Sequence, residues 1–562
     1  MLRRSPLLLA LLLNLFFLAL YFAFGIVRHG SLDDYFMSSV LTGAYGGTYD
    51  VHTYFVGSAY GYFLKPFYWL FPKVGWYFIF ELVGTFAAFT TFTYFLIQRM
   101  GTKIGIALST LLLASLTPDF YFQLSFTQCA TIYTAAGILT FFFAQGKKRL
   151  LLIGSLFLIA GSVMRWEGFL LGMPYLAIYI ALQTFTYKKG RKAGLIALAI
   201  CLATLYGLHT FDKSIYSNGD YKYYADYQPV RAYFGDGAYY DRESTYDELQ
   251  ERGMSGADFR LLKNWMFYDT EVFAKDSLLP IIDVANNNLY TPNPKRMPIA
   301  FFTAVSRELT HSVGWCWAIF CIFLLLAKSR PSNLYPWASL GIIAISIGYL
   351  LLVNRLAYHV ESGIWLYAIA CSIFFTPEDI LDSNRLMLKW SKVIPLLLLA
   401  LSAFFAYFGI AEQNSLKKQW HIIEHMQVPA DWQEFLNYAS SHQSDVFLLS
   451  FEKYKDLGSF NNPPYIAIEP GSWNNIFSWG YWNIHLPAMK QEFLKRGVQN
   501  PIRDITLDNV YLLEDNNKPS LQDFYKRHYH DSLWVDTAKV FGELMLLKYH
   551  STNQQPGKGD SL

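Results

Sequence analysis

The sequence predicts a polytopic α-helical membrane protein of about 11 transmembrane helices, followed by a carboxyl-terminal α/β domain outside the membrane. Three observations predict it. Hydrophobic residues make up 53% of the 562 and charged residues only 16%, a balance that soluble chains of this length do not show. Apolar segments of roughly bilayer-crossing length recur from the amino terminus to about residue 410. Basic clusters fall between them on alternate sides. With a net charge of +3, nothing in the composition calls for a nucleic-acid partner.

The first segment, near 7–27, follows Arg3 and Arg4 and lacks a small-residue cleavage site. It therefore reads as an anchor with a cytoplasmic amino terminus. The others lie near 74–97, 104–117, 128–144, 150–164, 169–186, 193–210, 312–327, 334–353, 364–376 and 393–410. Several fall short of about 20 residues and need tilt or flanking turns to span. Arg99 with Lys103, Lys147 to Arg149, Lys188 to Lys192, Lys328 with Arg330, and Lys389 with Lys392 all land on one side, a consistent positive-inside pattern. An odd number of spans then leaves the carboxyl-terminal region outside. The expected division is a membrane domain 1–410 with outer loops 28–73 and 211–311, an extracytoplasmic α/β domain 411–550, and a disordered tail 551–562. Cys129, Cys201, Cys316, Cys321 and Cys371 all sit in apolar stretches, which offers neither a disulfide framework nor a zinc spacing.

In the carboxyl-terminal region, the short apolar runs 445–449, 465–468, 509–513 and 544–547 suit strands. Asp431 to Glu434 reads as a capping box opening a helix, and 485–496 as a second helix stopped by Gly497. The region carries neither a phosphate-binding glycine loop nor a nucleophile elbow.

Chemistry points first to Asp33 and Asp34, which stand just past the first span. A charged pair at a membrane edge is costly to desolvate and usually has a partner or a task. The loop continues through Gly43, Gly46 and Gly47 to His52, and the aromatic stretch 57–70 then reads as a helix lying in the interface. Arg165 and Glu167 flank the outer end of the fifth span, where an Arg clamps a phosphate bidentately. Asn354, Arg355, His359 and Glu361 crowd the short turn between the ninth and tenth spans; Arg and His together suit a phosphate or pyrophosphate leaving group. In the loop 211–311, Tyr224 to Arg231 and Asp236 suit sugar binding, and Arg307 and His311 stand where the chain re-enters the membrane. Asp119 is a further outer acid with no assigned partner. His52, Arg165, Glu167, Arg231, Arg355 and His359 are the substrate-binding candidates.

This organisation resembles the GT-C superfamily of membrane glycosyltransferases. The many spans, the acidic pair in the first outer loop, the interfacial stretch after it and the outer carboxyl-terminal domain carry the resemblance, with motif-level support at Asp33–Asp34 and looser support at Arg165 and Arg355. The stretch from Asp33 to Trp76 also looks like bacterial membrane proteins associated with surface polysaccharides. The resemblance implies a bacterial plasma-membrane enzyme that moves a sugar from a polyprenyl-phosphate-linked donor to a glycan or lipid acceptor at the outer face. It also implies that Asp33 or Asp34 serves as base, orients the acceptor, or holds a divalent cation such as magnesium or manganese. No Trp-Trp-Asp motif stands in the carboxyl-terminal region, a departure from the oligosaccharyltransferase branch. A polymerase or ligase of lipid-linked glycans is the alternative. A flippase or transporter fits less well, because its charges or broken helices would lie mid-membrane and internal repeats would be visible.

Overall fold

A computed structural model describes residues 5–552, apart from 26, 123, 187–189, 236–241, 288–296, 328, 354, 379–389, 420–427, 461–462 and 515–517. The expected disordered tail therefore lies almost wholly outside the described residues, as do Asp236 and Asn354.

Every expected apolar segment falls in a helix. Six described helices are long and apolar enough to cross a bilayer, or up to seven if the bent pair Met297–Arg307 and Ser312–Leu325 is one span. The protein is a multi-pass membrane protein. Trp76–Phe122 is two helices meeting at Gly101, whose φ of 72° no helix accommodates, and it carries two expected segments. Lys148–Met164, Met173–Phe185 and Tyr358–Phe375, of 17, 13 and 18 residues, carry three more expected segments beside those six or seven.

Small residues and buried polar pairs hold the bundle. Phe126–Ala144 is its centre, and a Cβ on its Gly137 would stand 2.9 Å from the Gly154 carbonyl oxygen of Lys148–Met164. Asn14 of the first helix donates to the Phe86 carbonyl at 2.7 Å and to Thr90 Oγ1 at 2.8 Å, and accepts from the Tyr121 hydroxyl at 2.8 Å. Such bonds satisfy an amide that hydrocarbon would leave unpaired.

The helix ends sort by charge. Arg99 donates to the Thr376 carbonyl at 2.7 Å, and Gly146 abuts Gly190, so among the described residues the basic groups near 99, 148 and 191 lie at one end. The opposite end carries a mixed sheet of β1 (Val446–Leu449), β2 (Ile476–Ser478), β3 (Val510–Leu513), β4 (Leu533–Phe541) and β5 (Leu544–Ser551), in the order β2-β1-β3-β5-β4. β1 runs parallel to β2 and β3, and β5 antiparallel to β3 and β4.

Two local expectations are corrected. Residues 465–468 are not a sheet strand; Ile466 forms a lone antiparallel bridge with Val74. Their backbone is taken by the chain entering the second span, with Gly75 N–H donating to the Tyr465 carbonyl at 2.8 Å and Ala467 N–H to that of Lys73 at 3.0 Å. The expected capping box is absent as well. The helix is Ala430–Ser441 and Pro429 occupies the cap, so Asp431 already lies inside the first turn. The helix near 485–496 is present as Pro487–Lys495, and Gly497 follows it at φ +77°.

The first loop is built onto the sheet. Helix Leu32–Thr42 ends at Gly43, where φ is +74° and a Cβ would meet the Thr48 backbone at 2.5 Å. The turn that follows pairs with a loop between β1 and β2. Gly471 N–H donates to the Gly43 carbonyl at 2.8 Å, Trp473 N–H to that of Ala44 at 3.0 Å, and Gly46 N–H to Asn474 Oδ1 at 2.8 Å. Phe36 stacks on Tyr454 at 4.0 Å. Helix Ser58–Leu70 buries Ser58, Gly61, Leu64 and Tyr68 on one face and exposes Tyr62, Phe63, Trp69 and Leu70 on the other.

Candidate active site

The acidic pair opens helix Leu32–Thr42, and its cap decides where each acid points. Ser31 Oγ accepts the Asp34 N–H at 3.2 Å and donates to Asp34 Oδ2 at 2.6 Å. Asp34 Oδ1 accepts the Tyr77 hydroxyl at 2.8 Å and the Phe126 N–H at 3.0 Å. Asp34 is fully buried, and that burial pushes its carboxyl up to about 7, against the lowering effect of the bonds from Ser31, Tyr77 and Phe126. It ties together the first loop and two membrane helices.

Asp33 faces elsewhere. Successive helix positions diverge by about 100°, and Asp33 lines a cavity of about 600 Å³ beside the sheet. Its Oδ1 accepts the Tyr481 hydroxyl at 2.5 Å. The two acids therefore do not converge on a shared cation, the alternative that adjacency in sequence left open. Among the described residues, no group of three or more His, Cys, Asp or Glu side chains could hold a metal ion.

Four side chains of this cavity, Phe55, Arg165, Arg231 and Arg355, also line a second cavity of about 800 Å³. The three arginines come from distant parts of the chain. Arg165 sits at the extended break between Lys148–Met164 and Trp166–Leu171. It donates to Thr127 Oγ1 at 2.5 Å and lies 5.1 Å from the centre of the Phe126 ring. Arg231, only 2% exposed, donates from Nε to Gln228 Oε1 at 2.9 Å; Gln228 is anchored in turn on the Trp482 carbonyl at 2.7 Å. Arg355 occupies the short turn between Arg330–Leu352 and Tyr358–Phe375, its N–H donating to the Leu350 carbonyl at 2.8 Å. Lys455 adds to the first cavity, so its cations outnumber its one acid, Asp33, while burial and then the Arg165 charge lower His359 to about 4 and leave it a neutral imidazole there. Lys213 and Lys222 add positive charge to the second, where Asp212 is engaged in capping Ser58 at 2.7 Å.

The other candidates separate from this set. Glu167 lines the second cavity, but its side chain is 76% exposed and 3.7 Å from Arg165 Nε, a loose surface pair. His52 lines neither cavity: its ring stacks on Tyr221 at 3.5 Å, and Nδ1 sits 2.5 Å from Asp50 Oδ1. The structure thus places His52 against Asp50 and Tyr221 and does not bring it together with the arginines. Arg307 pairs with buried Glu361, His311 packs on Tyr358, and Asp119 accepts the Tyr358 hydroxyl at 3.0 Å; none of these lines either cavity.

Sequence reasoning missed Tyr481, Trp482 and Lys455 from the sheet region, and Trp265 from the segment 211–311, all of which line the Asp33 cavity. The run Trp479-Gly480-Tyr481-Trp482 was the available signal, an aromatic cluster dense for a soluble α/β domain.

No protein-family model matches the chain, and no curated protein matches it in sequence. Among solved structures, it is similar over 95% of its length, and over 97% of the other chain, to one titled "Crystal Structure of ArnT from Cupriavidus metallidurans in the apo state". With a TM-score of 0.38 and 9% sequence identity, that likeness is too loose to carry an argument about activity.

Proposed function

We propose that this protein is a membrane glycosyltransferase of GT-C type. It moves a sugar from a polyprenyl-phosphate-linked donor to an acceptor hydroxyl at the outer face of a bacterial plasma membrane, in the making or modification of a surface glycan. One observation carries the reading. Asp33 shares a cavity with Arg165, Arg231 and Arg355, and those arginines also line a second cavity that reaches one helix end at Val163 and the latter half of Arg191–Ile215 from Leu205 onward.

Each part has work to do. The three guanidiniums hold the donor phosphate and take up the negative charge that grows on it as the bond to the sugar breaks. Asp33 takes the proton of the acceptor hydroxyl. The acceptor oxygen then bonds to the anomeric carbon, the bond from that carbon to the phosphate oxygen breaks, and its electron pair leaves with the polyprenyl phosphate. Asp34, spent on three hydrogen bonds, positions the helix that carries Asp33. The aromatic face of Ser58–Leu70 offers a surface for the bilayer and the polyprenyl chain. The basic clusters at the opposite end of the bundle favour that end as cytoplasmic and the sheet as outside.

The test uses purified protein in lipid, with a polyprenyl-phosphate sugar and the matching nucleotide sugar as rival donors. Turnover is expected from the lipid-linked donor alone. Efficient transfer from the nucleotide sugar overturns the reading.

A further inference from the structure

The connection between β1 and β2 meets the rest of the chain at two places. Gly471 and Trp473 bond the first loop, and Tyr465 and Ala467 bond the residues just ahead of the second span. At the second place Ile466 bridges Val74, and a Cβ on Gly75 would overlap the Pro464 carbonyl oxygen, so the glycine lets the two backbones touch. Tyr465 and Ile466 are thereby pinned to the residues that open the membrane helix at Trp76.

Helix rise puts that point at the edge of the hydrocarbon. From Trp76 to Arg99 the helix climbs about 35 Å, at about 1.5 Å per residue, against a hydrocarbon core of about 30 Å. With Arg99 at one headgroup level, Trp76 lies within about 5 Å of the opposite hydrocarbon edge, the depth at which Trp and Tyr collect.

The surface around this point is apolar and free of acids. Trp69, 82% exposed, stands in the open with Leu70 and Phe71 where Ser58–Leu70 ends, and Tyr465 and Ile466 are exposed as well. Phe71 joins the two sets through its carbonyl, which accepts the Trp76 indole N–H at 3.1 Å and the Val74 N–H at 3.2 Å. Large apolar side chains from two distant parts of the chain thus form one strip, and an exposed patch of this kind marks contact with a membrane or a partner. Residues 57–80 carry Lys65 and Lys73 but no acid, and 463–468 carry no charge. Both lysines are exposed. Their stems can lie along an apolar surface while the ammonium groups reach headgroup phosphates. A strip that adjoins the first turn of a spanning helix already has the bilayer as its neighbour, which decides for lipid over a protein partner.

We propose that Tyr465 and Ile466 form a membrane-docking tip. They sink into the headgroup region beside Trp69 and Phe71 and fix the height of the sheet region above the lipid. The partner is the phospholipid surface, met by aromatic and aliphatic side chains with Lys65 and Lys73 at its phosphates. Because the same connection bonds the first loop through Gly471 and Trp473, the tip also sets the depth of that loop. The docking needs neither the donor nor the reaction proposed above.

The test places single cysteines bearing a nitrobenzoxadiazole fluorophore on the full-length protein in nanodiscs, with and without lipids that carry a nitroxide near the headgroup. The five native cysteines are buried and stay unlabelled. Tyr465→Cys and Ile466→Cys probe the tip, and Trp69→Cys is the membrane reference. Lys495→Cys is the aqueous reference: Arg496 beside it bonds the Gln443 carbonyl, ahead of β1 and at the end of that strand away from Phe451 and the Asp33 cavity. Quenching at the two tip positions is expected within about twofold of that at Trp69→Cys, with little at Lys495→Cys. Two tip positions are used so that one remains informative if the other variant fails to fold. Quenching at Trp69→Cys with none at either tip position overturns the proposal, since the sheet region then stands clear of the lipid. Absence of quenching at Trp69→Cys and the tip together takes the whole strip off the bilayer and overturns it too. Equal quenching at all four positions shows no selective docking and has the same consequence.

Discussion

The Tyr481 hydroxyl donates a 2.5 Å hydrogen bond to Asp33 Oδ1 across 448 residues of sequence. A carboxylate on the first helical turn past the anchor is thereby fixed by a side chain of the sheet region. The bond holds one oxygen in place while a carboxylate, with about four lone-pair sites, keeps capacity for a hydroxyl.

Asp33→Asn should lower kcat by about 10²–10⁴-fold, the usual worth of a positioned general base, with unchanged thermal stability. Tyr481→Phe should lower kcat by about tenfold and leave the donor KM unaltered, because it frees the base without touching the phosphate site. Steady-state kinetics on both variants check this. Wild-type kcat in Asp33→Asn removes the base from the mechanism.

Asp34 should matter to stability more than to chemistry. Asp34→Ala leaves the Tyr77 hydroxyl and the Phe126 N–H buried without their acceptor, at a cost of about 2–5 kcal/mol. Asp34→Asn keeps an acceptor oxygen and should retain most activity. The pH dependence has a definite sign. The folded carboxyl is raised to about 7 from its ordinary value of 3.8, so between those values the folded state keeps a proton that the unfolded state has lost. Stability should therefore fall as pH rises from about 4 to about 7, by at most on the order of 4 kcal/mol, and level off above. Thermal unfolding across that range, compared with Asp34→Asn in which the slope is removed, measures it. A wild-type curve that rises across the window contradicts the assignment.

Arg231→Lys should raise the donor KM by about 10–100-fold. Lys cannot donate to Gln228 Oε1 and present a planar fork at once. Arg165→Lys and Arg355→Lys should move the same constant in the same direction. Donor saturation curves for the three variants decide; a lowered kcat with constant KM in all three would place the phosphate elsewhere.

Orientation can be read with cysteines, since the five native ones are all buried. A membrane-impermeant maleimide on intact cells should label Lys495→Cys, in the sheet region, and should reach Lys148→Cys, at the basic end, only after permeabilisation. The reverse pattern inverts the topology and with it the choice of donor.

Much of the scaffold was legible in the sequence because apolar length and basic clustering are one-dimensional signals. The helices around Phe126–Ala144 and the strands 446–449 and 510–513 stand where the apolar runs put them. β4 was not legible, because it is an edge strand exposed along most of its length and lacks an apolar run. The site divides in the same way. Arg165 and Arg355 were visible as charges at the ends of apolar segments. The choice between Asp33 and Asp34 depended on the Ser31 cap, which sets the rotation of the helix. Trp265 and Lys455 were invisible because only tertiary folding brings their segments to one cavity, whereas Tyr481 stood in a legible aromatic run whose place beside Asp33 was not. The placement of His52 against Asp50 was not legible, because a histidine beside glycines reads the same whichever group it faces.

The backbone bonds that seat the first loop on the sheet region impose an order on biogenesis. Asp33 leaves the ribosome early, but its partner Tyr481 follows 448 residues later. At about 5–20 residues per second the interval is on the order of 20–90 s. Throughout that time the loop around Gly43 has no counterpart to pair with, and Asp33 has no cavity to line. The cavity closes only after the segment through Trp482 has been made and folded against the first loop, so the membrane helices are in place before the site at their ends exists.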